Sequence, residues 1–174
     1  MKDIFKHYFD IASSTPVDPR VIEAMLPFFH THFANPNAQH KLGQDAAKAI
    51  NQSTEKVADL LNMDPKGIVW TSGATESITT SVVSATKYYK SDDTKHILTT
   101  PLEHSALAET IKQSSSSVSY LSDLKSYGLI NPDEIKQHKN AYMLGTHHVN
   151  NEIGVIQPMD EIIDICRTNG IVTC

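Results

Sequence analysis

The sequence predicts an α/β fold with a mainly parallel sheet flanked by helices, because short apolar runs alternate with longer helical patterns from Lys66 onward. Parallel strands need crossover connections, and the helical segments between the runs are long enough to provide them. Ligands of such sheets bind beyond the carboxyl ends of the strands. The loops at 72–76, 101–104 and 149–154 are therefore the candidate binding segments.

The composition narrows the possible classes of function. The chain has 174 residues, of which 40% are hydrophobic and 20% are charged, as expected for one globular domain. A net charge of −5 without a basic cluster argues against nucleic acid or an anionic membrane as a partner. Cys166 and Cys174 occur in a sequence with no signal-peptide pattern, which favours free thiols and a cytoplasmic protein.

Two helices are predicted before the alternation begins. The first runs over 19–32, with Asp18 as its cap and a proline at its first position. The second runs over 43–62, where apolar residues recur at helical spacing. Residues 8–16 are predicted to form a short extended arm, and Pro36 predicts a loop between the two helices.

The rest of the chain is predicted to alternate between strand and helix. Strands are expected at 67–71, 96–100, 118–122 and 141–148, and helices at 75–90, 104–114, 132–138 and 159–168. The last helix stops at Asn169-Gly170, where glycine suits a left-handed cap. A final strand opens at Ile171 and is expected in the middle of a buried sheet, so we interpret the chain as the first part of a longer protein.

Residues 68–77 hold the strongest candidate for a ligand site. An apolar run predicts a buried strand, Gly73 a tight turn, and the residues after it a helix start with Ser72 or Thr75 as cap. Free backbone N–H groups and the positive end of the helix dipole make such a turn an anion site. Further donors are the hydroxyls of Ser72, Thr75 and Ser77. An ordinary strand-to-helix turn without a ligand remains the alternative.

Two other loops carry polar side chains that suit a ligand. His104 follows a strand end, where it can stack on an aromatic ligand or move a proton. The alternative is a polar residue that only starts a helix, and the neighbouring Glu103 is interpreted as a cap or a solvated residue. The amides of Asn150 and Asn151 can hold a ring hydroxyl or a carboxylate, unless they only form an Asx turn.

The histidines and cysteines do not predict a metal site or a nucleophile. The nine histidines and the two cysteines lack the spacing of metal ligands. Cys166 fits the inner face of the helix over 159–168 as a small hydrophobic residue. Cys174 has no recognisable base nearby, so neither cysteine is interpreted as a nucleophile.

Several motifs occur in an order that resembles one enzyme family. They are Asp-Ile-Ala-Ser-Ser-Thr-Pro at 10–16, Asn35-Pro36 with His40 and Gly43, Thr-Ser-Gly-Ala-Thr-Glu-Ser at 71–77, Glu103-His104, and His-Val-Asn-Asn-Glu-Ile-Gly-Val-Ile-Gln at 148–157. On these motifs the chain resembles the cysteine desulfurases, pyridoxal-phosphate enzymes of the class V aminotransferase group. The resemblance implies an incomplete large domain of the type I PLP-dependent transferase fold over 16–174, preceded by an N-terminal arm over 1–15.

The resemblance also implies roles for individual residues. Ala74 and Thr75 would bind the phosphate of pyridoxal 5′-phosphate. His104 would stack on the pyridine ring and act as a catalytic residue in proton transfers. Asn151 would approach the ring hydroxyl and the substrate carboxylate, and the arm at 12–15 would close over the substrate.

The activity implied by the resemblance is conversion of L-cysteine to L-alanine and an enzyme persulfide, which supplies sulfur for iron–sulfur clusters or tRNA thiolation. The Schiff-base lysine, the persulfide cysteine, a pyridinium-pairing aspartate and a small C-terminal domain are expected to come after Cys174. This chain alone is therefore expected to be inactive and to bind the cofactor weakly or not at all. A selenocysteine lyase, another class V relative and a non-catalytic interaction module are the alternatives.

Partners follow from the same interpretation. We expect the helices over 19–32 and 159–168, and one sheet edge, to expose apolar surface. That exposure predicts self-association, in the family as a homodimer. A scaffold protein that accepts sulfur is a further possible partner.

Overall fold

The computed structural model describes residues 6–90, 92–114 and 116–174. The chain divides into two compact units, Met1–Trp70 and Thr71–Cys174. The first unit is helical, and the second contains the sheet. The first five residues of the predicted arm lie outside the described residues, and the boundary between arm and domain stays a prediction.

The two predicted helices of the first unit are confirmed. Helix α1 spans Pro19–His30, and the Asp18 side chain accepts a hydrogen bond from the Arg20 N–H at its start. Helix α2 spans Lys41–Leu61 and is followed by its cap residue Asn62, which has a left-handed φ of 51°. Local signals set these ends, because a side chain that accepts at the first turn satisfies an otherwise unpaired N–H.

The arm is not extended as predicted. Residues 11–13 form a turn, in which the Ser13 N–H donates to the Asp10 carbonyl over 3.2 Å. The Tyr8 hydroxyl donates to the Ser14 carbonyl over 2.9 Å. These short-range bonds compete successfully with extended backbone because no described strand pairs with the arm.

The predicted strand at 67–71 is wrong. Gly67 ends a 3₁₀ turn over Pro65–Gly67, and Val69 and Trp70 are exposed. The Trp70 Nε1–H donates to the Thr54 hydroxyl of α2 over 2.8 Å. A strand needs a neighbour for its backbone hydrogen bonds, and no strand within the described residues pairs with this segment.

The second unit confirms the predicted α/β order. Its strands are β1 (His96–Thr99), β2 (Ser117–Tyr120), β3 (Leu124–Lys125), β4 (Leu129–Ile130), β5 (Ala141–Gly145) and β6 (Val172–Thr173). Its helices are α3 (Ala74–Tyr89), α4 (Ser105–Gln113), α5 (Pro132–Ile135) and α6 (Met159–Thr168). The main sheet has the order β2-β1-β5-β6, and all of its pairs are parallel. Among the described strands only β5 pairs with β6, so β6 lies at an edge of the described sheet, whereas the sequence analysis placed it in the middle of the sheet of a longer protein.

The sequence analysis missed the small antiparallel pair β3–β4. Each strand has two residues, which is too short for an alternating pattern to be recognised. The connection contains Tyr127 and Gly128, both at positive φ, which is a turn geometry that glycine adopts readily. The hairpin brings its backbone to the loop that follows β5, as described below.

Apolar side chains form a core on each face of the sheet. Ile97 and Met143 face helices α3 and α4, whereas Leu98 and Leu144 face the side of α6. Cys166 lies on the inner face of α6, as predicted, and burial raises the pKa of its thiol to about 11. The expectation that α6 exposes an apolar face is wrong, because this core covers it.

The apolar face of α1 is exposed, as expected. No residue of this helix is buried. Its exposed apolar residues are Val21, Ile22, Met25, Leu26, Phe28 and Phe29. Within the described residues of the first unit, the apolar face of α1 is therefore not buried by other apolar side chains.

A buried carboxylate anchors the segment after β2. Glu134 accepts hydrogen bonds from the Ser122 N–H, the Ser122 hydroxyl and the Asp123 N–H, each over 2.9 Å. Burial raises the pKa of Glu134, but these hydrogen bonds and the nearby His138 lower it by more, and the net pKa lies below the ordinary value. The folded state therefore favours the charged carboxylate.

We predict that Val82→Ala lowers the free energy of unfolding by about 2 kcal/mol, because it removes two buried methyl groups and leaves a cavity. Val83→Ala is the matched control, since Val82 is 0% and Val83 is 53% exposed on the same helix. The control should change stability by less than about 0.5 kcal/mol. Urea unfolding measures both, and equal effects would contradict the described core of α3.

We predict that Glu134→Gln lowers stability at neutral pH by about 1–3 kcal/mol, because an amide cannot accept all three bonds. A lowered folded pKa contributes stability above the unfolded carboxyl pKa, and that contribution is lost as pH falls through the folded pKa. The difference between wild type and variant should therefore shrink in acid. Denaturant unfolding from neutral to acid pH measures it, with Glu109→Gln as the control. A difference that grows in acid would refute the expected sign.

Candidate functional site

Helix α3 begins at the carboxyl edge of the parallel sheet. The Thr86 hydroxyl, near its end, lies 2.9 Å from the hydroxyl of Tyr142, near the amino end of β5. Ser81, earlier in the helix, hydrogen-bonds Cys174, which follows the carboxyl end of β6. The helix therefore runs antiparallel to the strands, and its first turn lies beyond their carboxyl ends.

The first turn of α3 is open to a ligand. Gly73 is its cap residue with an extended backbone, and no side chain caps the helix. Ala74 and Thr75 are exposed. Neither Ser72 nor Thr75 is the N-cap, which corrects the sequence analysis. The first N–H groups of a helix lack internal partners and carry the positive end of its dipole, so this turn suits an anion.

Side chains next to this turn form bonds of their own. The Glu76 carboxylate accepts the Ser72 N–H over 2.6 Å. Hydrogen bonds from Ser72, first its side chain and then its backbone, lower the pKa of Glu76. The Ser77 hydroxyl lies 2.6 Å from the Thr71 hydroxyl. Of the three hydroxyls expected to donate to an anion, those of Ser72 and Ser77 are therefore already bonded.

His104 is both a helix cap and an exposed ring. Its Nδ1 accepts the Ala106 N–H over 3.1 Å and so caps α4. This bond confirms that the residue starts a helix, which was the alternative interpretation. The same bond fixes the orientation of the ring and places the proton of a neutral imidazole on Nε2. The exposed ring remains available to a ligand at the carboxyl end of β1.

Glu103 is not a solvated residue, contrary to the sequence analysis. Its side chain is only 4% exposed and lies against His147 in the loop after β5. Its carboxylate also accepts a hydrogen bond from the Thr100 hydroxyl over 2.6 Å. A carboxylate is buried when enough donors surround it, and here those donors come from two loops.

The adjacent asparagines have different environments. Asn150 is buried, and its Oδ1 accepts the Glu152 and Ile153 N–H groups over 2.9 and 3.0 Å. Its Nδ2 donates to the Leu102 carbonyl over 3.0 Å. The Asx turn is thus confirmed for Asn150, whereas Asn151 is exposed.

The four residues predicted to bind a cofactor thus lie on loops or helix starts at the same edge of one sheet. They are Ala74, Thr75, His104 and Asn151. An open helix N-terminus suits a phosphate group, and an exposed imidazole suits a flat aromatic ring. These residues fit a phosphate ester of an aromatic ring, and their individual roles stay predictions.

Two residues of this edge were given no role by the sequence analysis. Gln157 is buried and contacts His147, which lies at the start of the same loop. The only signal in the sequence was a glutamine inside an otherwise apolar stretch.

Over the described residues no group of three His, Cys, Asp or Glu side chains is placed to bind a metal. No helix in that part of the chain is long and apolar enough to cross a membrane.

Comparison with known proteins identifies the family. A family model described as aminotransferase class V matches residues 7–174. The chain therefore belongs to the class V aminotransferases. The predicted resemblance and the predicted fold are both confirmed.

Individual relatives agree with this assignment. Cysteine desulfurase IscS of Dechloromonas aromatica is 42% identical over 171 residues, which are 95% of this chain and 42% of the relative. Mitochondrial cysteine desulfurase of Candida maltosa is 39% identical over 94% of this chain and 35% of the relative. The chain thus spans less than half the length of these relatives.

Solved structures resemble the chain over similar lengths. A NifS-like protein matches 93% of this chain and 46% of its own, with a TM-score of 0.85 and 30% identity. A structure described as SspA in complex with cysteine matches 95% of this chain and 49% of its own, with a TM-score of 0.85 and 34% identity.

Proposed function

We propose that this class V aminotransferase chain forms the cofactor-binding part of a cysteine desulfurase. Such an enzyme converts L-cysteine to L-alanine and transfers the sulfur to a cysteine thiolate as a persulfide. The observation that carries the proposal is the position of the open α3 N-terminus and the exposed His104 at one sheet edge. Relatives named cysteine desulfurase, and a similar protein whose structure is described with cysteine, support it.

The residues of this edge have separate tasks in the proposed mechanism. The N–H groups of Ala74 and Thr75 would bind the phosphate of pyridoxal 5′-phosphate at the positive end of the helix dipole. The His104 ring would pack against the cofactor ring, and its Nε2 would be the atom available for proton exchange, because the Ala106 N–H already donates to Nδ1. The Asn151 amide would hold the ring hydroxyl or the substrate carboxylate without adding charge.

The cofactor supplies an electron sink for negative charge that develops on the substrate carbon. This chain's own residues bind, orient and exchange protons. We further propose that the sulfur serves iron–sulfur cluster assembly or tRNA thiolation, with a scaffold protein as the acceptor. A cytoplasmic location is part of the same proposal, because both cysteines are free thiols.

We predict that pyridoxal 5′-phosphate and inorganic phosphate both shift the backbone amide resonances of Ala74 and Thr75, because the phosphate binds there. Pyridoxal, which lacks the phosphate, should leave those resonances in place. Binding to this chain is expected to be weak. Titrations of ¹⁵N-labelled protein, followed by NMR, measure the three ligands in parallel.

His104→Ala should weaken binding of pyridoxal 5′-phosphate and leave binding of inorganic phosphate unchanged, since the ring contact is lost but the helix N-terminus is not. His148→Ala is the matched control, because His148 is also an exposed histidine of the second unit. Shifts from pyridoxal 5′-phosphate confined to residues outside the α3 start would refute the proposed site.

We also propose that the exposed face of α1 drives self-association. Leu26→Glu places a charge on that face and should shift sedimentation toward the monomer. Asn51→Asp adds the same charge on an exposed position of α2 and should leave association unchanged. A monomeric wild type at high concentration would contradict this proposal.

A further inference from the structure

We propose that Glu103, His147 and Gln157 form one largely buried chain of hydrogen bonds that sets the position of His104 relative to Asn151. In this chain His147 is a neutral imidazole with its proton on Nδ1. The inference rests on the proposed function, since His104 and Asn151 are the ligand-binding residues there. We call these three residues positioning residues, because they contact the loops that carry the site and do not contact a ligand.

The Glu103 carboxylate links the loop after β1 to the loop after β5. Its Oε1 accepts the Thr100 hydroxyl over 2.6 Å and the Thr146 hydroxyl over 3.1 Å. Its Oε2 accepts the His147 N–H over 3.1 Å and lies 3.0 Å from His147 Nδ1. Four donors satisfy the buried carboxylate, so rotation of this side chain would break bonds in both loops.

Gln157 determines which nitrogen of His147 carries the proton. The Gln157 Oε1 accepts the Ile130 N–H over 2.9 Å, which assigns the other end of the amide as NH₂. That NH₂ donates to the Gly128 carbonyl over 3.0 Å and lies 3.3 Å from His147 Nε2. An NH₂ group cannot accept, so Nε2 must be the acceptor. Nδ1 therefore carries the proton and donates it to Glu103.

A second link runs beside the first one. The buried Asn150 donates to the Leu102 carbonyl, which joins the same two loops. His104 directly follows Glu103, and Asn151 directly follows Asn150. Each proposed ligand-binding residue thus stands next to an anchored buried residue. Site geometry of this kind must hold to within about 0.5 Å, which buried hydrogen bonds achieve and exposed loops do not.

The first test measures the tautomer of His147 in the wild-type chain without ligand. Long-range ¹H–¹⁵N correlation spectra of histidine-labelled protein distinguish a protonated from an unprotonated ring nitrogen. We expect His147 to be protonated on Nδ1 only, and the exposed His148 provides an internal comparison in the same spectrum. A proton on Nε2 of His147 would overturn the proposal.

Two variants test the links on either side of His147. Gln157→Glu replaces the NH₂ with an oxygen, so we expect both nitrogens of His147 to become protonated. Glu103→Gln should shift the backbone amide resonances of His104 and Asn151. Its matched control is Glu109→Gln, which removes an exposed carboxylate from α4. Shifts no larger than those of the control would overturn the positioning role.

These results are distinguishable from a failure of the proposed function. If pyridoxal 5′-phosphate does not bind the wild type, the cofactor assignment fails, but the His147 tautomer and the Glu103→Gln shifts still decide the positioning role. If Glu103→Gln does not fold, the wild-type tautomer and the response to Gln157→Glu decide it. An unchanged His147 in Gln157→Glu would count against the proposal.

Discussion

The parallel pairing of β1 with β5 is the constraint on which the rest of the second unit depends. Thr99 lies opposite Gly145, so the two strands end together, and the Thr99 hydroxyl donates to the Gly145 carbonyl over 2.9 Å. The loops that carry His104 and Asn151 therefore leave the sheet side by side. Both strands are buried on both faces, and a slip by one residue would exchange the two apolar cores.

The burial of β1 and β5 also explains the polar residues at the carboxyl edge of the sheet. Where buried strands end, their loops carry polar groups that must find partners within the protein. Glu103, Asn150 and Gln157 provide these partners and are buried themselves. The neighbouring His104 and Asn151 are left exposed by comparison, which is the arrangement expected of a binding edge on a rigid support.

The first unit has a different balance of forces. Its two helices depend on caps and on spacing within the helix, and few of its described residues are buried. Val69 and Trp70 remain exposed after α2, although their sequence resembles a buried strand. Local helix signals act within a few residues, whereas a strand acquires its bonds only from another part of the chain.

Four properties could be predicted from the sequence: the helices, the parallel pairing of the main sheet, the glycine turn before Ala74 and the family. These properties depend on short-range spacing and on motifs that can be read along the chain. The tertiary structure was needed to show that Gly73 is the cap of α3, that the Glu103 side chain is buried and that residues 67–71 do not form a strand. Glu103 shows why these features could not be predicted from the sequence. Its partner His147 is 44 residues away along the chain, and only the pairing of β1 with β5 brings the two side chains together.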